Sequence, residues 1–181
     1  MTKSDPEKHN IEALIARAGE AEEVSHLEPG RLGAHYTPVT PALDALGGRL
    51  GANVTRVPPG RAACPFHFHM REDEIFYVLS GRGVLRYGDA FAEIGPGDCV
   101  SCPAGTGTAH QIFNPFKDDL VYLAVGLNAP DEVCGYPERS ALYMRALKRT
   151  LDAPEISDEG AAGQEEPAAF ALYARTAQSE G

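Results

Sequence analysis

The sequence lacks any uninterrupted apolar run near the ~20 residues that a membrane helix requires, so no segment is expected to span a bilayer. Met1–Asn10 is polar and charged and has no apolar stretch resembling a signal peptide, so the expected location is cytoplasmic. Basic residues are scarce: 16 Lys and Arg stand against 26 Asp and Glu, a formal net charge of −10. General affinity for nucleic acid rests on clustered cations and is thereby disfavoured. The one basic cluster, Arg139, Arg145, Lys148 and Arg149, is interleaved with Leu142 and Ala146 and reads as the polar face of a helix. There is no internal repeat and no helix-turn-helix pattern. Cysteine is sparse too, at Cys64, Cys99, Cys102 and Cys134. Cys99-x-x-Cys102 has neither the second pair that a zinc site needs nor the helix start of a redox motif. These residues read as strand thiols in a reducing compartment.

What is present suits one domain: 181 residues, 43% of them hydrophobic. Residues 1–30 carry Ile11, Leu14, Ile15 and Ala18 at helical spacing and are expected to form an N-terminal helical extension ending near Gly19. Residues 31–130 change character. Short β-rich runs at Arg49–Val57, Phe66–Met70, Glu74–Leu79, Gly83–Tyr87, Ala90–Ile94, Cys99–Ser101, His110–Phe113 and Leu120–Leu127 alternate with Gly- and Pro-rich turns. No helical pattern lies between them, so the fold class is all-β, a barrel or sandwich, and a parallel α/β sheet is excluded. Residues 131–181 are expected to hold a helix over Ser140–Leu151, an acidic flexible stretch over Pro154–Pro167 and a further docking helix at Ala168–Ala174.

One constellation carries chemistry. Strand side chains alternate faces, so His67 and His69 point the same way and can share one ion. Glu72-Asp73 read as a solvated polar turn, and the chain re-enters a strand at Glu74. A buried lone carboxylate is costly unless paired or metal-bound, which gives Glu74 a reason to lie beside the two imidazoles. His110 opens another strand and can close the site from the opposite side. Three neutral imidazoles and a carboxylate suit one divalent ion of Fe, Mn, Ni, Co or Zn, with positions left for water or substrate. Arg56, Tyr77, Arg86 and Tyr122 are polar residues on barrel strands and are the candidate substrate-binding groups. A guanidinium there can hold a carboxylate or phosphate bidentately.

This spacing resembles the cupin family. Its first motif is matched by Gly60, His67, His69, Glu74 and Gly81, and its second by Gly97, Pro103, Gly105, His110 and Asn114. The Gly60–His67 interval is one residue longer than the family's usual spacing, and the Gly105–His110 interval two residues longer. The resemblance implies a double-stranded β-helix (jelly-roll) barrel with short flanking N- and C-terminal helices, and a metal at His67, His69, Glu74 and His110. It also implies a homodimer, for which the extended segment Arg31–Thr40 could serve as an arm. Among small single-barrel cupins the chain looks like bacterial proteins assigned as sugar-phosphate isomerases. The leading expectation is therefore a metalloenzyme acting on a small oxygen-rich substrate held in the barrel. The alternatives are an Fe(II)-dependent dioxygenase on the same ligands and a non-catalytic small-ligand-binding or sensor protein.

Overall fold

The computed structural model describes residues 11–158 and 167–179. The elements run β1 (Val24–Leu27), β2 (Gly33–Pro38), α1 (Pro41–Ala45), β3 (Leu50–Val57), β4 (Arg61–Ala62), β5 (Phe68–His69), β6 (Glu74–Ser80) and β7 (Gly83–Tyr87). They continue with β8 (Ala90–Ile94), β9 (Cys99–Cys102), β10 (His110–Asn114), β11 (Leu120–Leu127), β12 (Val133–Tyr136), β13 (Ala141–Met144), β14 (Arg149–Asp152) and α2 (Ala169–Ser179). Three sheets result: a six-stranded one ordered β1-β2-β3-β11-β6-β9, and two four-stranded ones ordered β4-β10-β7-β8 and β14-β13-β12-β5.

Period-two alternation decides which side chains meet. In the six-stranded sheet Tyr122 faces Thr55 on one neighbour and Val78 on the other, while Ala124 faces Asn53 and Phe76. Phe76, Val78, Leu120 and Tyr122 point inward and pack with Ile94 and Ile112 from the facing sheet into the main core. The intervening residues of β6, Ile75, Tyr77 and Leu79, lie on the outer face and are exposed. The four-stranded β4-β10-β7-β8 sheet is apolar on its outer side as well, and α2 covers it. Phe170 and Tyr173 of that helix stack edge-on against Phe113 beside Val84 and Ala169. Gly81 turns β6 into β7 with φ +75°, and a Cβ there would sit 2.1 Å from the Asp119 carbonyl oxygen. Only glycine fits that corner. No helix among the described residues is long and apolar enough to cross a membrane.

Several expected elements differ. Ile11–Leu14 forms a single 3₁₀ turn without a buried residue, and residues 1–10 lie outside the described ones. Within the expected N-terminal helical extension, Val24–Leu27 is instead a strand, β1. Ser140–Leu151 is not a helix: Ala141–Met144 and Arg149–Asp152 pair as a hairpin. Ser140 and Lys148 sit at φ 47° and 49°, a left-handed backbone that no α-helix admits. Pairing of β13 with β12, itself paired to β5, overrides the helical spacing of Leu142, Tyr143 and Ala146. Arg31–Thr40 is not a free arm, because Gly33–Pro38 is held between β1 and β3 of the chain's own sheet. Of the expected acidic stretch, Pro154–Ile156 is a 3₁₀ turn and Asp158 is ion-paired, while residues 159–166 lie outside the described ones.

Candidate metal centre

Three short elements bring the four residues together. His67 exchanges both backbone hydrogen bonds with His110, at 3.1 and 2.7 Å, which fixes the start of β10 against the entry to β5. His69 ends β5, and Glu74 opens β6 after the turn between them. The imidazoles converge on one atom. Glu74 Oε2 lies 3.1 Å from His110 Nε2, 3.2 Å from His69 Nε2 and 3.8 Å from His67 Nε2.

The far sides of two rings explain this orientation. His67 Nδ1 donates to the Pro65 carbonyl at 2.8 Å, and His69 Nδ1 donates to Glu132 Oε1 at 3.3 Å. A carbonyl and a carboxylate only accept, so Nδ1 carries the proton in both neutral rings and the Nε2 lone pair faces inward. His69 Nε2 is buried without a hydrogen-bond partner. Lone pairs turned onto a carboxylate oxygen repel it unless a cation lies between them. The residues present therefore fit a divalent ion, with three nitrogens and one oxygen as donors.

Burial pushes the His67 imidazole down to about 3, with His110 adding to the effect and Glu74 only partly opposing it, so the ring is neutral near pH 7. Burial works to lower His69 as well, but Glu74, Glu132 and Glu72 outweigh it and raise that ring above its ordinary value. At Glu74 burial works upward, but the three imidazoles gathered at its Oε2 outweigh it and hold the carboxyl well below the usual range.

The centre opens into a cavity of about 460 Å³. Tyr122, alone of the four substrate-binding candidates, lines it, with Tyr36, Tyr136, Asn53 and Asn128. The other three are corrections. Arg56 points outward to Glu23 at 2.6 Å and Asp119 at 3.1 Å. Tyr77 is exposed on the outer sheet face. Arg86 is fully buried, lies 3.6 Å over the Phe66 ring and is tied to Glu138 and Asp158, each at 2.6 Å. Nearby carboxylates and outward strand positions claim these side chains before a ligand can. Asn114 is structural: its amide donates to the carbonyls of Val57 and Asp118, and its oxygen accepts from the Phe116 N–H.

Three further residues line the cavity that sequence reasoning missed. Glu132, 1% exposed, accepts from the N–H groups of Met70 and Arg71 as well as from His69. Glu72 is no solvated turn residue: 3% exposed, it accepts the Ala129 N–H and both Arg145 amino groups. Arg145 thus leaves the expected basic helix face for the cavity wall. The i, i+2 spacing of Glu72 and Glu74 was the signal for a shared side. No local pattern marks Glu132.

Facing antiparallel sheets with this cluster at their opening define a jelly-roll barrel of the cupin class. Residues 53–126 match the family described as Cupin domain. The chain is similar to a solved candidate sugar phosphate isomerase of Acidithiobacillus ferrooxidans, with TM-score 0.65, 28% identity, 78% of this chain and 92% of that one covered. It is also similar to a cupin-superfamily sugar phosphate isomerase of Silicibacter pomeroyi, with TM-score 0.60, 29% identity and coverages of 70% and 83%. A curated oxalate-binding protein of Thermotoga maritima is 37% identical over 70 residues, 39% of this chain. The match spans 55% of that relative's length.

Proposed function

We propose that the protein is a metal-dependent enzyme acting on a small oxygen-rich substrate by hydroxy-carbonyl isomerisation. In this reading His67, His69, Glu74 and His110 hold one divalent ion of Fe, Mn, Ni, Co or Zn. The observation that carries the reading is the convergence of three imidazole Nε2 atoms on Glu74 Oε2 beside a cavity of substrate size. The names of the two isomerase relatives support the reaction class. A bound divalent ion supplies polarisation of a substrate carbonyl or hydroxyl. The chain's own residues orient and shield. Burial pushes the Tyr122 hydroxyl well above its ordinary value, and Tyr136 likewise, so both remain protonated donors. Burial also raises the Cys134 thiol to about 12, so it is neutral and no nucleophile.

Elemental analysis of the protein beside His67→Ala, after reconstitution with each metal, tests the centre. Wild type should hold close to one equivalent, and less than about a tenth of an equivalent in both proteins overturns the reading. Isomerisation should proceed without oxygen. Iron-dependent oxygen uptake would make the protein a dioxygenase, and ligand binding without turnover a binding protein. Glu132→Gln keeps the shape but weakens the hold on His69 Nδ1, and metal affinity should fall about 10–100-fold in a chelator competition.

A cytoplasmic homodimer belongs to the same reading. All four cysteines are free thiols, as a reducing compartment favours. The outer rows of β6 and β11, with Ile75 and Tyr77 beside Val125 and Leu123, form an apolar face that a second copy would cover. Light scattering should give twice the chain mass, and Tyr77→Glu should shift it to the monomer.

A further inference from the structure

The charge pattern of the cavity bears on which substrates reach the centre. Four carboxylates line it, from Asp44, Glu72, Glu74 and Glu132, against the single guanidinium of Arg145 and no lysine. A divalent ion would still leave the wall with one net negative charge. Arg145 is not available to an incoming anion, because both its amino groups are engaged by Glu72 and one also donates to the Ala129 carbonyl at 3.0 Å. Drawing it away would strand the buried Glu72 carboxylate without a guanidinium, and isolating a buried charge in this way is strongly destabilising. Arg56 and Arg86, the arginines expected to hold substrate, are neutralised outside the cavity.

The uncharged part of the wall is of another kind. Asn53 and Asn128 offer amide donors and acceptors, and Tyr36, Phe76, Tyr122 and Tyr136 offer ring faces. Carboxylates and amides match substrate hydroxyls, which donate and accept, and aromatic faces match the C–H side of a polyol. We infer that the substrate is an uncharged polyhydroxy carbonyl compound, a free sugar or its close analogue, and that phosphate esters and dicarboxylates are turned away by the acidic wall. This inference rests on the metal-centre reading but selects against the phosphorylated substrates that the relatives' names suggest.

The test uses metal-loaded full-length protein whose metal content has been measured, so that loss of the centre is seen separately from wrong specificity. Calorimetric titration with D-fructose and D-xylose should give binding at least about tenfold tighter than D-fructose 6-phosphate, oxalate or inorganic phosphate. Equal or tighter binding of any of these three anions overturns the inference. So does silence from both free sugars in protein carrying a full metal equivalent. Asp44→Lys reverses an exposed charge of the wall outside the proposed ligands. It should strengthen fructose 6-phosphate binding about threefold or more at low salt while leaving metal content unchanged. No gain would mean that the wall's charge does not select the substrate.

Discussion

Replacing Glu74 with glutamine is expected to lower metal affinity by more than about 100-fold, beyond the loss for an outer partner such as Glu132. The change removes one charge and almost no volume. In the native chain Glu74 Oε2 is the point on which three Nε2 atoms converge, so the carboxylate supplies the only anionic donor of the set. An amide oxygen in its place leaves a divalent ion with neutral ligands, and its amide group would direct hydrogens at the imidazole lone pairs. The metal-free variant should fold as well as metal-free wild type, because the carboxylate's burial cost disappears along with its contacts to His69 and His110. The two proteins should therefore melt together when stripped and separate when loaded, since only wild type gains stability from a bound ion. A Glu74→Gln protein that retains a full metal equivalent through chelator dialysis would remove Glu74 from the centre.

How far the sequence carries toward this site depends on the range of each interaction. His67 and His69 are legible because alternation along one strand is local, and Glu74 because a single turn separates it from them. His110 requires the second motif, since its approach depends on a backbone pairing with His67 across 43 positions (67 to 110). Glu132 is illegible: it reaches the centre through β12, whose pairing with β5 no local pattern announces. The same cause hides β13 and β14. Leu142, Tyr143 and Ala146 have helical spacing, yet strand partners supplied from β12 decide their conformation. Arg56 and Arg86 illustrate the converse limit. Alternation narrows which face a side chain takes, but the acids that neutralise them, Glu23, Asp119, Glu138 and Asp158, lie 33 to 72 residues away in sequence.

Arg86→Met is expected to destabilise the fold by about 3–5 kcal/mol, read from urea denaturation, while leaving metal content unchanged. Arg86 is 1% exposed and meets two carboxylates that are themselves buried, Glu138 at 3% and Asp158 at 11% exposure. Its Nε also donates to the Gly88 carbonyl at 3.2 Å. Methionine fills much of the same space against Phe66 but removes the guanidinium that both acids pair with, and the cost lies in that lost ion pairing rather than in lost packing. The three residues belong to β7, the turn after β12 and the segment beyond β14, so the ion triad clasps the carboxyl-terminal region onto the barrel. Glu138 Oε2 also accepts the Ala168 N–H at the start of α2. Weakening the clasp should expose the Pro154–Asp158 segment to protease before the barrel itself unfolds. Adding Glu138→Gln and Asp158→Asn to Arg86→Met should recover more than half of the lost stability, because amides are buried at less cost than carboxylates that have lost their guanidinium. Failure of the triple variant to recover would mean that the arginine contributes mainly through its stacking on Phe66.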